Sequence, residues 1–191
     1  AFNAYIGKWN TSNVTNIGRM FQNASAFNNG AASGEPGNPL EWDVSKVTSM
    51  GFTFLVAKAF NADIGDWKVS NVTDMLQMFA GASAFNRDIG GWDTSKVADM
   101  RSMFQEAIAF NQDLRRWNVS NVGSTPCGSF SNMFRGATAF DQNLEDWNQP
   151  ERGRIVKKEA SKWYMFGNSG LSKGNRPSWS TNEMYAESAW G

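Results

Sequence analysis

The sequence predicts an α/β solenoid of about six stacked 25-residue coils, each a strand followed by a short helix, with the strands parallel. Three observations carry this expectation. One sentence recurs: AFNADIGDWKVSNVTDMLQMFAGAS at 59–83, AFNRDIGGWDTSKVADMRSMFQEAI at 84–108, and the opening AFNQDLRRWNVSNV at 109–122. The large aromatics hold register, with Phe60, Phe85 and Phe110 falling 25 apart, as do Trp67, Trp92 and Trp117. Within a unit the apolar spacing changes from two to three and four, a change from strand to helix period. Self-similarity at a fixed period of roughly 20–50 residues is the mark of a stacked repeat architecture.

Taken in order, AFN opens at Ala1-Phe2-Asn3 and returns at 26–28, 59–61, 84–86 and 109–111, with Ala139-Phe140-Asp141 as a sixth copy. The gaps are 25, 33, 25, 25 and 30 residues. Eight extra residues fall between Asn29 and Pro39, a stretch rich in Gly, Ala, Pro and Asn, and five more lie around Ser124–Gly128. Insertions at turns leave the stacking of neighbours intact. Because AFN is the middle of a unit, at least half a coil is expected ahead of Ala1.

Inside the unit, Ile64-x-x-Trp67-x-Val69 reads as a strand with Trp67 and Val69 on one face. Val72, Met75, Phe79 and Ala82 then read as one face of a short helix. Ser70, like Ser12, Ser45, Ser95 and Ser120, stands where an N-cap is wanted. Asn61 and Asp63, with their counterparts at 86 and 88 and at 111 and 113, supply turn chemistry before the strand. One unit alone cannot bury its apolar face, so neighbours stack and successive Trp side chains line up along the axis. After Trp147 the pattern decays into a charged, basic stretch, and Met165-Phe166 echoes Met103-Phe104. The expected organisation is a repeat body over 1–171, with a degenerate capping coil from about 148, and an extended aromatic tail over 172–191.

Composition bounds the chemistry. Eighteen basic and eighteen acidic residues cancel, which favours neither nucleic acid nor an anionic membrane as partner. There is no histidine, so the commonest general base and metal ligand is missing. One cysteine, Cys127, cannot form an internal disulfide. No apolar run reaches the length of a membrane span.

The run FNxDIxxWDxSxVxxMxxMFxxA, from Phe85 to Ala107, resembles the 25-residue surface-protein repeat of the BspA-like branch of leucine-rich repeat proteins. The resemblance covers roughly residues 1–147. It implies a leucine-rich-repeat-like, right-handed solenoid used for adhesion or protein–protein contact, with no common enzyme activity and no fixed set of functional residues. The two insertions and the basic segment after Trp147 depart from it.

The column Asp63, Asp88, Asp113 offers hard oxygen ligands for calcium, but a turn in which each Asp accepts backbone N–H bonds explains it better. The Ser column has no activating base beside it. The outward strand positions remain: Lys8 and Asn10, Glu41 and Asp43, Asp66 and Lys68, Gly91 and Asp93, Arg116 and Asn118. Such rows build the extended surface through which repeat proteins bind. Partner-binding residues are therefore expected at Asp66, Lys68, Asp93, Arg116 and Asn118. Trp179, Tyr185 and Trp190 join them, as aromatics of a tail that docks on a partner or covers the last coil. No catalytic residue, cofactor or metal is expected. The expected role is a non-enzymatic interaction or adhesion module of a surface or extracellular protein. The alternative is an accessory subunit of a larger, organelle-borne assembly.

Overall fold

A computed structural model describes residues 2–32, 35–124, 129–158 and 160–186. It corrects the expected fold class. Among the described residues there is no α-helix and no extended strand, only four three-residue 3-10 turns and isolated one-residue bridges. The strand–helix coil is replaced by a chain of tight turns.

The turns fall where the sequence places apolar residues three apart. In the third coil the amide of Phe60 donates to the Ala57 carbonyl, Trp67 to Ile64, Val72 to Val69, Met78 to Met75 and Ala82 to Phe79. A β-turn closes its first and fourth residues to within about 7 Å, so each such pair points inward together. The arc read as a helix cannot be one, because two residues four apart in every coil have positive φ. Arg19, Phe52, Gln77, Ser102, Asn132 and Tyr164 lie at 52–63°, and Asn23, Val56, Gly81, Glu106, Gly136 and Asn168 at 52–71°. A left-handed residue breaks an α-helix, and it turns alternate amides outward along the stack. Thus Met50, Phe52, Phe54 and Val56 donate to the carbonyls of Asp74, Leu76, Met78 and Ala80 in the next coil, at 2.7–2.9 Å. The serines expected to cap helices instead close turns: the Ser12, Ser45, Ser95 and Ser120 amides donate to the side chains of Asn10, Asp43, Asp93 and Asn118.

Coils of this kind stack through parallel bridges at Asn16–Ser49, Ser49–Asp74 and Asp74–Asp99. Three columns of rings fill the interior. Phe27, Phe60, Phe85, Phe110 and Phe140 follow one another at 5.8–6.1 Å. Phe21, Phe54, Phe79, Phe104, Phe134 and Phe166 form a second column at 5.5–5.8 Å. Trp9, Trp42, Trp67, Trp92 and Trp117 form the third at 6.2–6.4 Å, which is the alignment along the axis that their register predicts. Offset-stacked pairs of this kind contribute about 0.5–1.5 kcal/mol beyond area burial.

Two polar ladders run beside the rings. The indole N–H of five Trp residues donates to a carbonyl one coil back: Trp42 to Ile6, Trp67 to Leu40, Trp92 to Ile64, Trp117 to Ile89 and Trp147 to Leu114. A buried indole left unpaired would cost a full desolvation penalty, so this bond fixes ring orientation as well as register. The Asn of AFN accepts the amide of its counterpart in the next coil, from Asn3 through Asn28, Asn61, Asn86 and Asn111 to Asp141. The first insertion is pinned by the fully buried Asn29, which accepts the Ile6 amide and donates to the Asn38 and Pro39 carbonyls.

The Asn ladder and the ring columns continue past Trp147, whereas the indole ladder ends there, the buried Trp179 Nε1 having no partner among the described residues. The Ser172 amide donates to Asp141 at 2.7 Å, Trp179 stacks on Trp147 at 6.4 Å, and Tyr185 stacks on Phe166 at 5.5 Å. The Tyr164 and Phe166 amides donate to the carbonyls of Glu183 and Met184. Residues 172–186 therefore lie on the sixth coil as a shortened continuation of the stack. Trp190 and Cys127 fall outside the described residues.

Candidate functional site

The side of the stack that carries the residues just before each Trp is the candidate binding surface. Its shape comes from one turn. Asp63, Asp88, Asp113 and Asn143 accept the amide two residues on, from Gly65, Gly90, Arg115 and Glu145, at 2.8–3.0 Å. That is the turn role expected of the Asp column. Among the described residues no group of three or more His, Cys, Asp or Glu side chains is arranged to hold a metal ion. Each turn throws the following two side chains outward while Ile or Leu and Trp go in, so clefts open between neighbouring corners.

Two such clefts occupy the same repeat positions at different heights. One, of about 290 Å³, is lined by Glu41, Asp63 and Asp66 over the edges of Trp42 and Trp67. The other, of about 490 Å³, lies between Asp88, Asp113, Arg115, Arg116, Asp146 and Arg154, with Gly90 and Gly91 as its floor. A side chain added at Gly91 would meet nothing within 4 Å, so the cleft stays open in mid-stack. Arg115 is tied to Asp113 at 2.8 Å, and Arg154 reaches back to the Arg115 carbonyl at 3.1 Å. The Arg115 guanidinium, hydrogen-bonded to Asp113, holds that carboxyl below its ordinary value against a smaller opposing effect of burial. The surface is acidic over the second and third coils, and over the fourth to sixth Arg115, Arg116 and Arg154 balance Asp88, Asp113 and Asp146.

The structure brings some of the expected residues to this face and gives others different work. Asp66 and Arg116 are exposed at equivalent positions, one in each cleft. Lys68 is exposed beside the Trp67 corner. Asp93 is exposed, but its carboxylate accepts the Ser95 amide at 3.1 Å. Asn118 is half-buried and accepts both the amide and the hydroxyl of Ser120. Those two shape turns as well as facing outward. Trp179 and Tyr185 line neither cleft and pack against the core at the end of the stack. Sequence reasoning passed over Arg154 and Asp146. Asp146 holds the same place before its Trp as Asp66 and Arg116, a signal that was available. Arg154 lies in the segment where repeat register is lost, and nothing in the sequence places it beside Arg115.

Three comparisons bear on identity. A family model described as "Mycoplasma protein of unknown function, DUF285" matches residues 1–38, 32–147 and 126–188. No curated protein and no solved structure matches the chain. No helix among the described residues is long and apolar enough to cross a membrane.

Proposed function

The chain belongs to the DUF285 family, and from that premise we propose that it is a non-catalytic, protein-binding module whose working surface is the row of clefts beside the Trp column. The observation that carries the reading is the graded charge of that row. Glu41, Asp63 and Asp66 lie at one height, and at another Arg115, Arg116 and Arg154 stand among Asp88, Asp113 and Asp146, on corners whose Ile64 and Leu114 carbonyls accept a Trp indole N–H from the next coil. A rigid, charge-graded surface steers and orients a partner of opposite pattern. Little backbone ordering is left for the moment of binding. The likeness of the repeat to BspA-like surface sequences supports the same role and suggests a surface or extracellular setting.

The test combines position and charge. A photo-activated cross-linker placed at Gly91, where there is room for it, is expected to capture a protein partner, and the same group at the exposed Glu106 is not. Asp66→Lys with Arg116→Glu should abolish the capture without lowering the melting temperature. Equal capture from both positions, or capture indifferent to the reversal, would refute the proposal.

A further inference from the structure

The indole ladder fails at Trp179, and the failure marks a second site where repeat register is lost. Trp179 stacks on Trp147 as the interior tryptophans stack on one another, yet its buried indole N–H has no partner among the described residues. In the interior, one carbonyl serves two donors. That of Ile64 accepts the Trp67 amide and the Trp92 indole, and that of Leu114 accepts the Trp117 amide and the Trp147 indole. Among the described residues the Leu144 carbonyl accepts the Trp147 amide alone. The missing acceptor therefore belongs to the coil behind, inside the molecule. A buried donor left unpaired carries its desolvation cost in full, so an acceptor that reaches it is favoured.

The cause is a mismatch between neighbouring arcs. From Trp67 the chain comes to its bridging residue at Asp74 and from Trp92 at Asp99, whereas from Trp147 it does so only at Ser161. The arc laid over this long one is short. The Tyr164 and Phe166 amides donate to Glu183 and Met184, close after Trp179. The equivalent Phe52 and Phe54 amides donate to Leu76 and Met78, well beyond Trp67. A long arc beneath a short one leaves a cavity of about 520 Å³, a size that holds a small organic molecule.

Its walls are of two kinds. Val156, Ala160, Met184 and the 60% exposed ring of Trp163 are apolar. The polar groups are mostly donors. Lys158 is exposed, and its ammonium enters no hydrogen bond or ion pair among the described residues. The Asn148 side chain accepts the Val156 amide at 3.3 Å, which leaves its amide group to donate. Lys162 adds a second positive charge, directed at the carbonyls of Ala160 and Lys157. The one carboxylate among the described lining residues, Glu183, is engaged by the Thr181 hydroxyl at 2.7 Å.

We infer that this cavity binds a small carboxylate with an apolar body. Its oxygens are taken by Lys158, the Asn148 amide and, after a slight turn of the ring, the Trp179 indole, while its body lies against Trp163. Hydrogen bonds to an ionised acceptor are roughly twice as strong as neutral ones, and an excess of donors beside net positive charge disfavours a cation. The inference is independent of the lateral clefts, none of whose lining residues borders this cavity.

The test uses the full chain, phenylacetate as the probe and two-dimensional NMR of the indole N–H groups. The Trp163 and Trp179 signals should shift saturably with a dissociation constant of about 1 mM or tighter, while those of Trp67 and Trp92 stay in place. Phenylacetamide, which keeps the shape without the charge, and inorganic phosphate, which keeps the charge without the body, should each bind at least about ten-fold more weakly. Lys158→Met should weaken phenylacetate by a similar factor and leave the melting temperature unchanged, because the residue is exposed. No saturable shift at about 10 mM probe would overturn the inference. Equal binding of the amide, or affinity indifferent to Lys158→Met, would overturn it as well. Phosphate bound as tightly as phenylacetate would mean an adventitious ion only, and would also refute it.

Discussion

Asp93 shows how a single residue divides between shape and charge. Hydrogen bonding from Ser95, hydroxyl first and amide second, holds its carboxyl below the ordinary value, and Asp43 is lowered the same way by Ser45. Asp113 is lowered by Arg115 and Asp141 by Ser172 and Asn175. In each case the folded chain prefers the ionised form, so the unfolded chain binds more protons in the window between the two values. The stabilisation is therefore complete above about pH 4–5 and fades as the pH falls through the lowered folded values. The melting temperature should decline on acidification below about pH 4. Asp93→Asn should keep the turn, as Asn10 and Asn118 do, and flatten part of that decline, whereas Asp93→Ala should lower stability at neutral pH too. A decline unchanged in Asp93→Asn would mean that this carboxylate takes no part. The left-handed corners make a second residue-scale case. Gly81 has φ +67° and its added Cβ would make only ordinary contact with Val56, so Gly81→Ala should cost about 1 kcal/mol through backbone strain alone. A neutral result in urea titration would remove the strained-corner account.

At the scale of the element, the lesson concerns what a spacing of three means. The period, the insertions and the alignment of Trp67, Trp92 and Trp117 were legible because residues at equal repeat positions must meet when coils stack. The secondary structure was not. Val72, Met75, Phe79 and Ala82 are all fully buried, as a helical face would be, yet they sit on successive β-turns. Apolar residues at both ends of a turn produce the same three-residue spacing as one helical face. The signal that separates them is that the spacing persists around the whole unit, at Ala57–Phe60, Ile64–Trp67 and Val69–Val72 as well. Of the candidate face, the outward row was legible from alternation beside Trp67. The Asn ladder was hidden because Asn28 and Asn61 read as ordinary turn residues. The spine itself can be tested by truncation. Trp92→Ala removes a ring stacked on both sides and should cost about 3–5 kcal/mol. Trp9→Ala, at the exposed end, should cost clearly less. Equal losses in denaturant would dismiss the stacked core.

At the scale of the molecule, each coil contacts only its neighbours, so stability is approximately a sum over interfaces and the ends matter most. Residues 172–186 add a Trp to one column and a Tyr to another, and they accept the Tyr164 and Phe166 amides. Deleting 172–191 should therefore lower the melting temperature by more than about 4 °C. An unchanged melting point would mean that the segment is not part of the stack. The turn-built coils are locked in register by indole N–H bonds to the coil behind. Hydrogen exchange of the tryptophan indoles, followed by two-dimensional NMR, tests it most directly. Trp42, Trp67, Trp92, Trp117 and Trp147 should exchange slowly, over hours, and Trp9 and Trp163 within the dead time. Interior indoles that exchange as fast as Trp9 would contradict the account.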